Sequence, residues 1–363
     1  MDDLIDVAHQ SVSLAVREMC CRIGTDSASF KRAAENLARI GQFKLSDESL
    51  RKVVESEGQA VLTWQDHEQL ELDFDAGQCT TDATQDGQPT TRVYVGLDGF
   101  MLPMVSDEEM GKRLDKWRRR RKKLKRKRGL HRPRLVRRKG AGQRYKEFKL
   151  VTMYDQDQTR KLMRVTRHGP KRAGKMLRQM AQDVGLRRAR QVVAVTDGAE
   201  WIARLVERNL PKEKTTAILD FYHAAEHVHQ ARRVVFGEQD ASGRQWAEEL
   251  IHAMLNVPWE SSWERLLATR AHVRSPAKRA ALDGLMQYLL TRREKIDYAT
   301  FRDMGLKIGS GATESGCKSE ARRLKGVGMR WTAANAEAMT ALEAIHQSNL
   351  WPNYWRHRFN AAA

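Results

Sequence analysis

Three acidic residues occupy positions from which their carboxylates can act together. Asp98 lies within a segment rich in β-branched and aromatic residues, and Asp197 follows the apolar run VVAV. Glu314 opens a helix-like segment after a glycine-rich stretch. An acid at the end of a buried strand is costly unless it is paired or binds a cation. Two aspartates and one glutamate supply the oxygen ligands that Mg²⁺ takes, and two such ions clamp the attacking and leaving oxygens of a phosphoryl displacement.

Two other interpretations compete with this one. Asp98 and Asp197 are each followed by glycine, and Asp-Gly pairs occur in ordinary turns. A different chemistry is indicated by the pentapeptide HAAEH, from His223 to His227, which has the spacing of inverted zinc peptidases. Its two histidines share a helix face, but no third ligand follows at a persuasive spacing. A zinc metallopeptidase is therefore kept as an alternative.

A strongly basic segment runs from Lys112 to Arg144. It contains 19 lysines and arginines against one acid, Asp115, so it holds nearly all of the formal net charge of +19. A basic arm on a nearly neutral body is typical of a protein that binds a polyphosphate, although a solvated or targeting charge run is the alternative. The predicted DNA contacts within it are Arg118, Arg119, Arg120, Arg121, Lys122, Lys123, Lys125, Arg126, Lys127 and Arg128.

The elements that must position the acids come after a helical N-terminal segment. Residues 1–72 carry apolar residues at three-to-four spacing, with Ser29 and Ser46 as predicted helix caps. Three helices with a turn at Gly41 indicate a helix-turn-helix DNA reader, against which plain helical packing or dimerisation is the alternative. Residues 73–91 contain no lysine or arginine and are rich in turn formers, which predicts a linker.

Strand and helix patterns alternate from residue 92 onward. Because the strand patterns come first and then alternate with helices, the order is βββαβαβ. This order predicts three antiparallel strands followed by parallel neighbours, with the strands of Asp98 and Asp197 adjacent. The chain is therefore predicted to be an α/β protein with a mixed sheet. The strands are predicted at 92–104, 148–154, 162–167, 190–198 and 215–220, and the helices between them at 170–184 and 199–209.

The periodicity becomes helical from residue 223 to about 306 and again after a glycine-rich entry at 307. In the second of these regions, Lys318 and Arg322 lie four and eight residues after Glu314, on the same helix face. In a nuclease that face would meet the phosphate next to the scissile bond. A solvated basic face is the alternative interpretation.

Four segments resemble the signature blocks of DDE transposases from bacterial insertion sequences. They are VGLDGF, VAVTDGAEWI, LDFYHAAEHV and SGATESGCKSEARR, and the resemblance spans residues 92–345. The chain looks most similar to the Mutator-like superfamily and, within it, to the Kra-type branch. The resemblance implies a ribonuclease H-like mixed-sheet core that is interrupted by an all-α insertion after its fifth strand.

The same resemblance implies a role for individual residues. Asp98, Asp197 and Glu314 would be the catalytic, metal-binding triad for Mg²⁺, with Mn²⁺ as a substitute. Asp220 and His223 match the family's C/D-x-x-H motif and would be an accessory motif. The implied partners are double-stranded DNA, both element ends and target, and further copies of the chain in a homodimer or larger homo-oligomer. The implied location is the bacterial cytoplasm, in association with the nucleoid.

The composition limits the remaining possibilities. No apolar run approaches the length of a membrane span, and the first 25 residues lack the basic n-region of a secretory signal. The four cysteines show no C-x-x-C spacing, which fits a reduced, cytoplasmic setting. A transposase that cleaves and transfers DNA strands by two-metal-ion phosphoryl transfer is the leading hypothesis. A non-catalytic DNA-binding protein of the same fold is the other alternative.

The predicted organisation has five parts. They are a helical DNA-binding domain at 1–72, a linker at 73–91, the first part of the core at 92–221 with the basic arm at 112–144, an all-α insertion at 222–306, and the C-terminal helices of the core with an unassigned aromatic tail at 307–363.

Overall fold

The computed structural model describes residues 12–67, 70, 72–84, 86–105, 111–112, 114–119 and 145–362. In these ranges the chain has a mixed α/β fold built on one mixed sheet. The strands are β1 (Thr80–Thr81), β2 (Thr90–Pro103), β3 (Tyr145–Tyr154), β4 (Lys161–Thr166), β5 (Gln191–Thr196) and β6 (Thr215–Leu219). The helices are α1 (Leu14–Asp26), α2 (Phe30–Ile40), α3 (Asp47–His67), α4 (Pro170–Asp183), α5 (Glu200–Asn209), α6 (Phe221–Val235), α7 (Ala241–Asn256), α8 (Trp259–His272), α9 (Pro276–Leu290), α10 (Tyr298–Asp303), α11 (Gly311–Arg322), α12 (Ala333–Gln347) and α13 (Trp351–Ala362).

The sheet has the strand order β4-β3-β2-β5-β6, and β1 pairs with the start of β2. The pairs β2 with β3 and β3 with β4 are antiparallel, whereas β5 runs parallel to both β2 and β6. Helix α4 connects β4 to β5, and α5 connects β5 to β6. The predicted mixed sheet and the βββαβαβ order are therefore confirmed. The strand that contains Asp98 neighbours the strand that ends just before Asp197.

The N-terminal helices pack against the C-terminal helices and share one hydrophobic core with the sheet. The backbones of α3 and α12 pack directly against each other at Gly58, which has no side chain. A Cβ there would collide with the backbone of Ala338. Ser29 and Ser46 cap α2 and α3 as predicted, since their hydroxyls accept backbone N–H groups at 3.1 and 3.0 Å. The role of these helices in DNA reading stays a prediction.

The segment predicted to be a linker, residues 73–91, is packed against the core over much of its length. Phe74 and Cys79 are buried, and β1 pairs with the first residues of β2. The polar composition conceals this packing, because a few apolar side chains are enough to hold a segment whose backbone is paired in the sheet. This segment therefore connects the N-terminal helices to β2 as a packed part of the fold.

The segment predicted to be helical at 222–306 packs on the opposite face of the sheet. Helices α6 to α10 share a second core with Tyr94 and Val193, whereas the neighbouring Val93 and Val192 point to the first core. The turn between α9 and α10 reaches the edge strand β6. Among the described residues, no helix has the length and apolar character needed to cross a bilayer.

Candidate active site

Asp98 and Asp197 lie side by side where the parallel part of the sheet ends. Strands β2 and β5 pair in parallel up to Val95 opposite Ala194. Continuing this register brings Asp98 opposite Asp197, which follows the last residue of β5. Strand β2 itself continues and pairs with β3 through Asp98 opposite Leu150. The two half-buried side chains thus sit at the carboxyl end of a parallel strand pair, where open α/β sheets place their functional groups.

Glu314 approaches the two aspartates from α11, which packs on β2 and β3. The helix comes close because two glycines lack side chains. A Cβ at Gly96 would collide with the hydroxyl of Thr313, and a Cβ at Gly316 would lie 3.0 Å from Leu150 Cδ2. Glu314 is exposed in the first turn of α11, where the positive end of the helix favours a carboxylate. Gly96 of β2 and Gly316 of α11 therefore allow the close packing that brings Glu314 towards the strand ends.

The charges of the three acids act on one another at Asp98. Burial raises the pKa of the Asp98 carboxyl, and the carboxylates of Asp197 and Glu314 raise it further. Two donors oppose this rise: the Cys317 thiol, 3.3 Å from Asp98 Oδ2, and the Gly99 N–H, 2.6 Å from Oδ1. Burial raises the pKa of Cys317, and the Asp98 charge raises it further. The thiol therefore stays protonated and donates a hydrogen bond to Asp98. The structure places Asp98 and Asp197 at neighbouring strand ends, and Glu314 is near enough for its charge to act on Asp98. The catalytic role of these acids stays a prediction.

The three acids do not form a closed metal cage. In the part of the chain that the structure describes, no three His, Cys, Asp or Glu side chains converge closely enough to hold a metal ion. Mg²⁺, however, is usually bound by one or two carboxylates together with waters and substrate phosphates. The pKa of Asp98 is raised mainly by burial and to a smaller extent by the charges of Asp197 and Glu314, and a divalent ion at these acids would oppose that rise. Asp98 and Asp197 therefore fit an ion whose ligand shell is completed by substrate.

Asp220 ties the end of β6 to the starts of α6 and α11. Its Oδ1 accepts the backbone N–H of His223 at 2.8 Å, which caps α6. Its Oδ2 accepts the backbone N–H of Ser310, the residue before α11. The Ser310 hydroxyl in turn lies 3.3 Å from Glu314 Oε1. Asp220 is almost completely buried, so its carboxylate fixes the start of the helix that carries Glu314.

The two histidines of the HAAEH pentapeptide pack on each other and on a tyrosine. The ring centroids of His223 and His227 are 5.4 Å apart in an edge-on arrangement, and His227 stacks on Tyr288 at 3.8 Å. Burial lowers the pKa of His227, and the nearby His223 and Arg292 lower it further, which favours the neutral ring. No third histidine, cysteine or carboxylate joins them among the described residues to make a metal site. The observed geometry favours packing over zinc binding.

The predicted DNA contacts divide into two groups. In the basic arm, the structure describes Arg118 and Arg119, and Arg118 pairs with Asp115 at 3.3 Å. On α11, the exposed Lys318 lies 3.7 Å from Glu314, and the exposed Arg322 lies 3.8 Å from Asp26. The remaining predicted contacts lie outside the described residues: Arg120, Arg121, Lys122, Lys123, Lys125, Arg126, Lys127 and Arg128.

Sequence reasoning does not identify three further neighbours of the acids: Cys317, Tyr288 and Arg292. Cys317 follows Glu314 by three residues on one helix, so helical spacing could have indicated it. Tyr288 and Arg292 come from α9 and the turn after it, far away in sequence. Burial raises the pKa of Tyr288 to about 12, Arg292 opposes that rise, and the Asp197 carboxylate adds to it. These residues therefore belong to the electrostatic surroundings of the acids.

Comparisons with known proteins give two partial similarities. No family model matches the chain. Over 76 residues the chain is 36% identical to a UPF0236 protein in the vanSb 3' region of Streptococcus gallolyticus, and the match covers 21% of this chain. The chain spans only 17% of the length of that relative. Among solved structures, it is similar to a chain of the Drosophila P element transposase strand transfer complex at a TM-score of 0.40 and 11% identity, over 95% of each chain.

Proposed function

We propose that this chain is a DDE-type transposase of a bacterial insertion sequence, of the Mutator-like superfamily and its Kra-type branch. It would cleave and transfer strands of double-stranded DNA at element ends by phosphoryl transfer. The observation that carries the proposal is that Asp98 and Asp197 lie at the carboxyl ends of neighbouring parallel strands and that the charges of Asp197 and Glu314 both act on Asp98. The acids come from two parallel strands and a helix, and the charges of two of them raise the pKa of the third.

The strand order supports a ribonuclease H-like core for this enzyme. Three antiparallel strands are followed by two parallel ones, and the segment from α6 to α10 enters after β6 and ends before Glu314. In this proposal that segment is the all-α insertion, and α1 to α3 form the N-terminal DNA-binding part. The function also includes assembly as a homodimer or larger homo-oligomer in the bacterial cytoplasm, at the nucleoid.

The residues of the site have distinct tasks in the proposed reaction. Asp98, Asp197 and Glu314 would hold Mg²⁺, or Mn²⁺ in its place, and this cation would supply positive charge to the phosphate oxygens during displacement. The Cys317 thiol holds one oxygen of Asp98 in place. Lys318, whose exposed charge lies 3.7 Å from Glu314, would contact the DNA backbone.

Strand cleavage of a labelled duplex tests the proposal. The duplex carries the DNA that flanks the gene, and the reaction contains Mg²⁺ or Mn²⁺. We expect cleavage by the unaltered chain, and for Asp197→Asn a loss of at least about a thousandfold, because one ion ligand contributes several kcal/mol to such a transition state. The matched control is Asp283→Asn, which removes an exposed carboxylate that pairs with Arg270 at 3.0 Å.

Three outcomes would contradict the proposal. Cleavage that persists in a chelator would exclude the divalent ion, and equal activity of Asp197→Asn and Asp283→Asn would exclude the acid site. Salt-sensitive DNA binding without cleavage under any metal would instead identify a non-catalytic DNA-binding protein. The first two outcomes concern the chemistry, and the third concerns the class of protein.

A further inference from the structure

Arg292 lies against the loop that carries Asp197. Gly198 has a φ of +80°, and a Cβ there would lie 3.3 Å from Arg292 Nε and 2.6 Å from Leu219 Cδ1. The left-handed backbone and the lack of space both require glycine at this position. The guanidinium of Arg292 therefore packs directly on the residue that follows one of the candidate catalytic acids.

The Arg292 side chain is held in this position by its own segment. Its guanidinium carbon lies 4.1 Å from the centre of the Tyr288 ring, and Nη1 donates to the Tyr288 carbonyl at 3.2 Å and to Thr291 Oγ1 at 3.1 Å. Tyr288 stacks in turn on His227 of α6. Because these contacts restrict the side chain before any ligand arrives, less conformational entropy is lost when it binds one.

The charge of Arg292 is not neutralised by a carboxylate. Arg292 and Lys295 line a cleft of about 590 Å³ between α5 and the faces of β5 and β6, and Thr196 and Gly198 border it. Two other cations line the cleft and pair with acids. They are Arg204 with Glu200, and Lys212 with Glu207 at 3.9 Å. Among the described residues, no carboxylate lies within ion-pair distance of Arg292 or Lys295.

We propose that Arg292 binds a backbone phosphate of the DNA strand that is cleaved at the acids. The inference rests on the proposed function, because it needs a DNA strand at Asp197. The three acids repel a phosphodiester, and the half-buried guanidinium at Gly198, the residue after Asp197, offers a fork of donors that matches phosphate oxygens. The helical segment α6–α10 thus contributes a positive group to a site whose acids come from the sheet and α11. Lys295 adds a second positive charge to the same cleft.

DNA binding by a matched pair of variants tests the contact. Arg292→Gln removes the charge beside Asp197, whereas Arg293→Gln removes an adjacent, exposed charge that pairs with Glu260 at 2.7 Å. Affinity for a fluorescein-labelled duplex of the DNA that flanks the gene is measured over a salt series in EDTA. We expect Arg292→Gln to weaken binding about tenfold to a hundredfold and to reduce the salt slope by about one. Arg293→Gln should change neither quantity.

Two further measurements separate a phosphate contact from a packing role. Arg292→Lys keeps the charge and should restore the salt slope with only part of the affinity, because lysine lacks the guanidinium fork. Neutral methylphosphonates are then placed one at a time around the cleavage point. At the contacted phosphate we expect a loss of affinity with the unaltered chain and no further loss with Arg292→Gln, since both changes remove one interaction.

The outcomes of these measurements are distinct for the two proposals. If Arg292→Gln and Arg293→Gln bind with equal affinity and salt slope, Arg292 does not contact a phosphate, and the inference is overturned even when the chain cleaves DNA. A methylphosphonate scan with no position that depends on Arg292 overturns it as well. Conversely, an Arg292-dependent salt slope in a chain that cleaves under no metal supports the phosphate contact and refutes the transposase activity.

Discussion

Two carboxylates in this molecule, the buried Glu57 and the half-buried Asp98, have opposite surroundings. Glu57 of α3 is completely buried where α1, α3 and α13 meet. Its oxygens accept from Arg17 Nε and the Tyr354 hydroxyl, each at 2.6 Å, and from Arg358 Nη2 at 3.2 Å. Burial alone would raise the pKa of Glu57, but these donors outweigh it and the pKa is lowered. Glu57 therefore carries its charge with partners that the chain itself supplies.

Asp98, at the candidate active site, lacks such partners. Burial raises the pKa of its carboxyl, and the nearest donors are a thiol and one backbone N–H. The charged groups that act on it are two further acids, Asp197 and Glu314. The difference is that the chain itself neutralises the carboxylate of Glu57, whereas no positively charged side chain that the structure describes neutralises that of Asp98. In the proposed function a cation takes that place.

The largest effect on the free energy of unfolding is expected at Glu57, the carboxylate that has its own partners. Glu57→Gln leaves two arginines without their carboxylate, and loss of one partner of a buried ion pair costs about 3 to 5 kcal/mol. Asp98→Asn instead removes a charge that other acids repel, so we expect no loss of unfolding free energy. Urea unfolding of both variants and the unaltered chain measures the difference. An Asp98→Asn variant as unstable as Glu57→Gln would show that Asp98 is a structural carboxylate after all.

A smaller effect is expected at Asp220, which connects scaffold and site. In Asp220→Asn the side-chain oxygen still accepts from the His223 N–H and caps α6. The amide NH₂ group then faces the buried N–H of Ser310, which loses its acceptor. An unsatisfied buried donor costs about 1 to 3 kcal/mol. Because Ser310 precedes the helix of Glu314, we also expect DNA cleavage to fall about tenfold, as a displacement of about 1 Å can cost that much or more.

The control for Asp220 is a second aspartate with the same capping role. Asp240 caps α7 by accepting from the Gly243 N–H at 2.6 Å, and it follows an exposed turn before a helix that carries none of the three acids. Asp240→Asn should leave both stability and cleavage nearly unchanged, since asparagine caps helices as well as aspartate does. Equal cleavage by the two variants would mean that Asp220 does not position Glu314.

The parts of the fold that sequence patterns predict are those that local rules govern. The apolar runs indicate the strands, and Ser29 and Ser46 are recognisable as caps because capping depends on residues three positions apart. The sequence likewise indicates Asp98 and Asp197, since Asp98 lies within one predicted strand and Asp197 follows the apolar run of another. Their adjacency followed from the order of the strands.

The parts that were missed depend on contacts between distant segments. Nothing near Gly58 indicates that α3 packs on the backbone of Ala338, and the C-terminal tail had no assignment although it forms α13 with Tyr354 buried. Arg292 lies against Gly198, the residue after Asp197, only because the second core turns the chain after α9 back to the edge strand β6. Such proximity comes from packing across two faces of the sheet, which residue spacing does not encode.

The smallest expected effect is in the pH dependence of stability, where Glu57 and Asp98 should act with opposite sign. The folded-state pKa of Glu57 is lowered, so its stabilisation is present above the pKa of an unfolded glutamate and is lost as pH falls through the lowered value. The folded-state pKa of Asp98 is raised, so the folded chain binds a proton more tightly than the unfolded chain does. Its effect on stability therefore becomes unfavourable as pH rises between the two pKa values.

Thermal unfolding of Asp98→Asn and the unaltered chain, followed from about pH 4 to pH 8, isolates this contribution within the range where carboxyl groups titrate. We expect the two melting temperatures to approach each other as pH falls towards the pKa of an unfolded aspartate, about 3.9, and Asp98→Asn to melt higher at neutral pH. Added Mg²⁺ should reduce the difference, because a cation at the acids stabilises the ionised form of Asp98. A difference in melting temperature that stays constant with pH would mean that the charge of Asp98 does not destabilise the fold. A difference that grows with Mg²⁺ would mean that no cation binds at the acids.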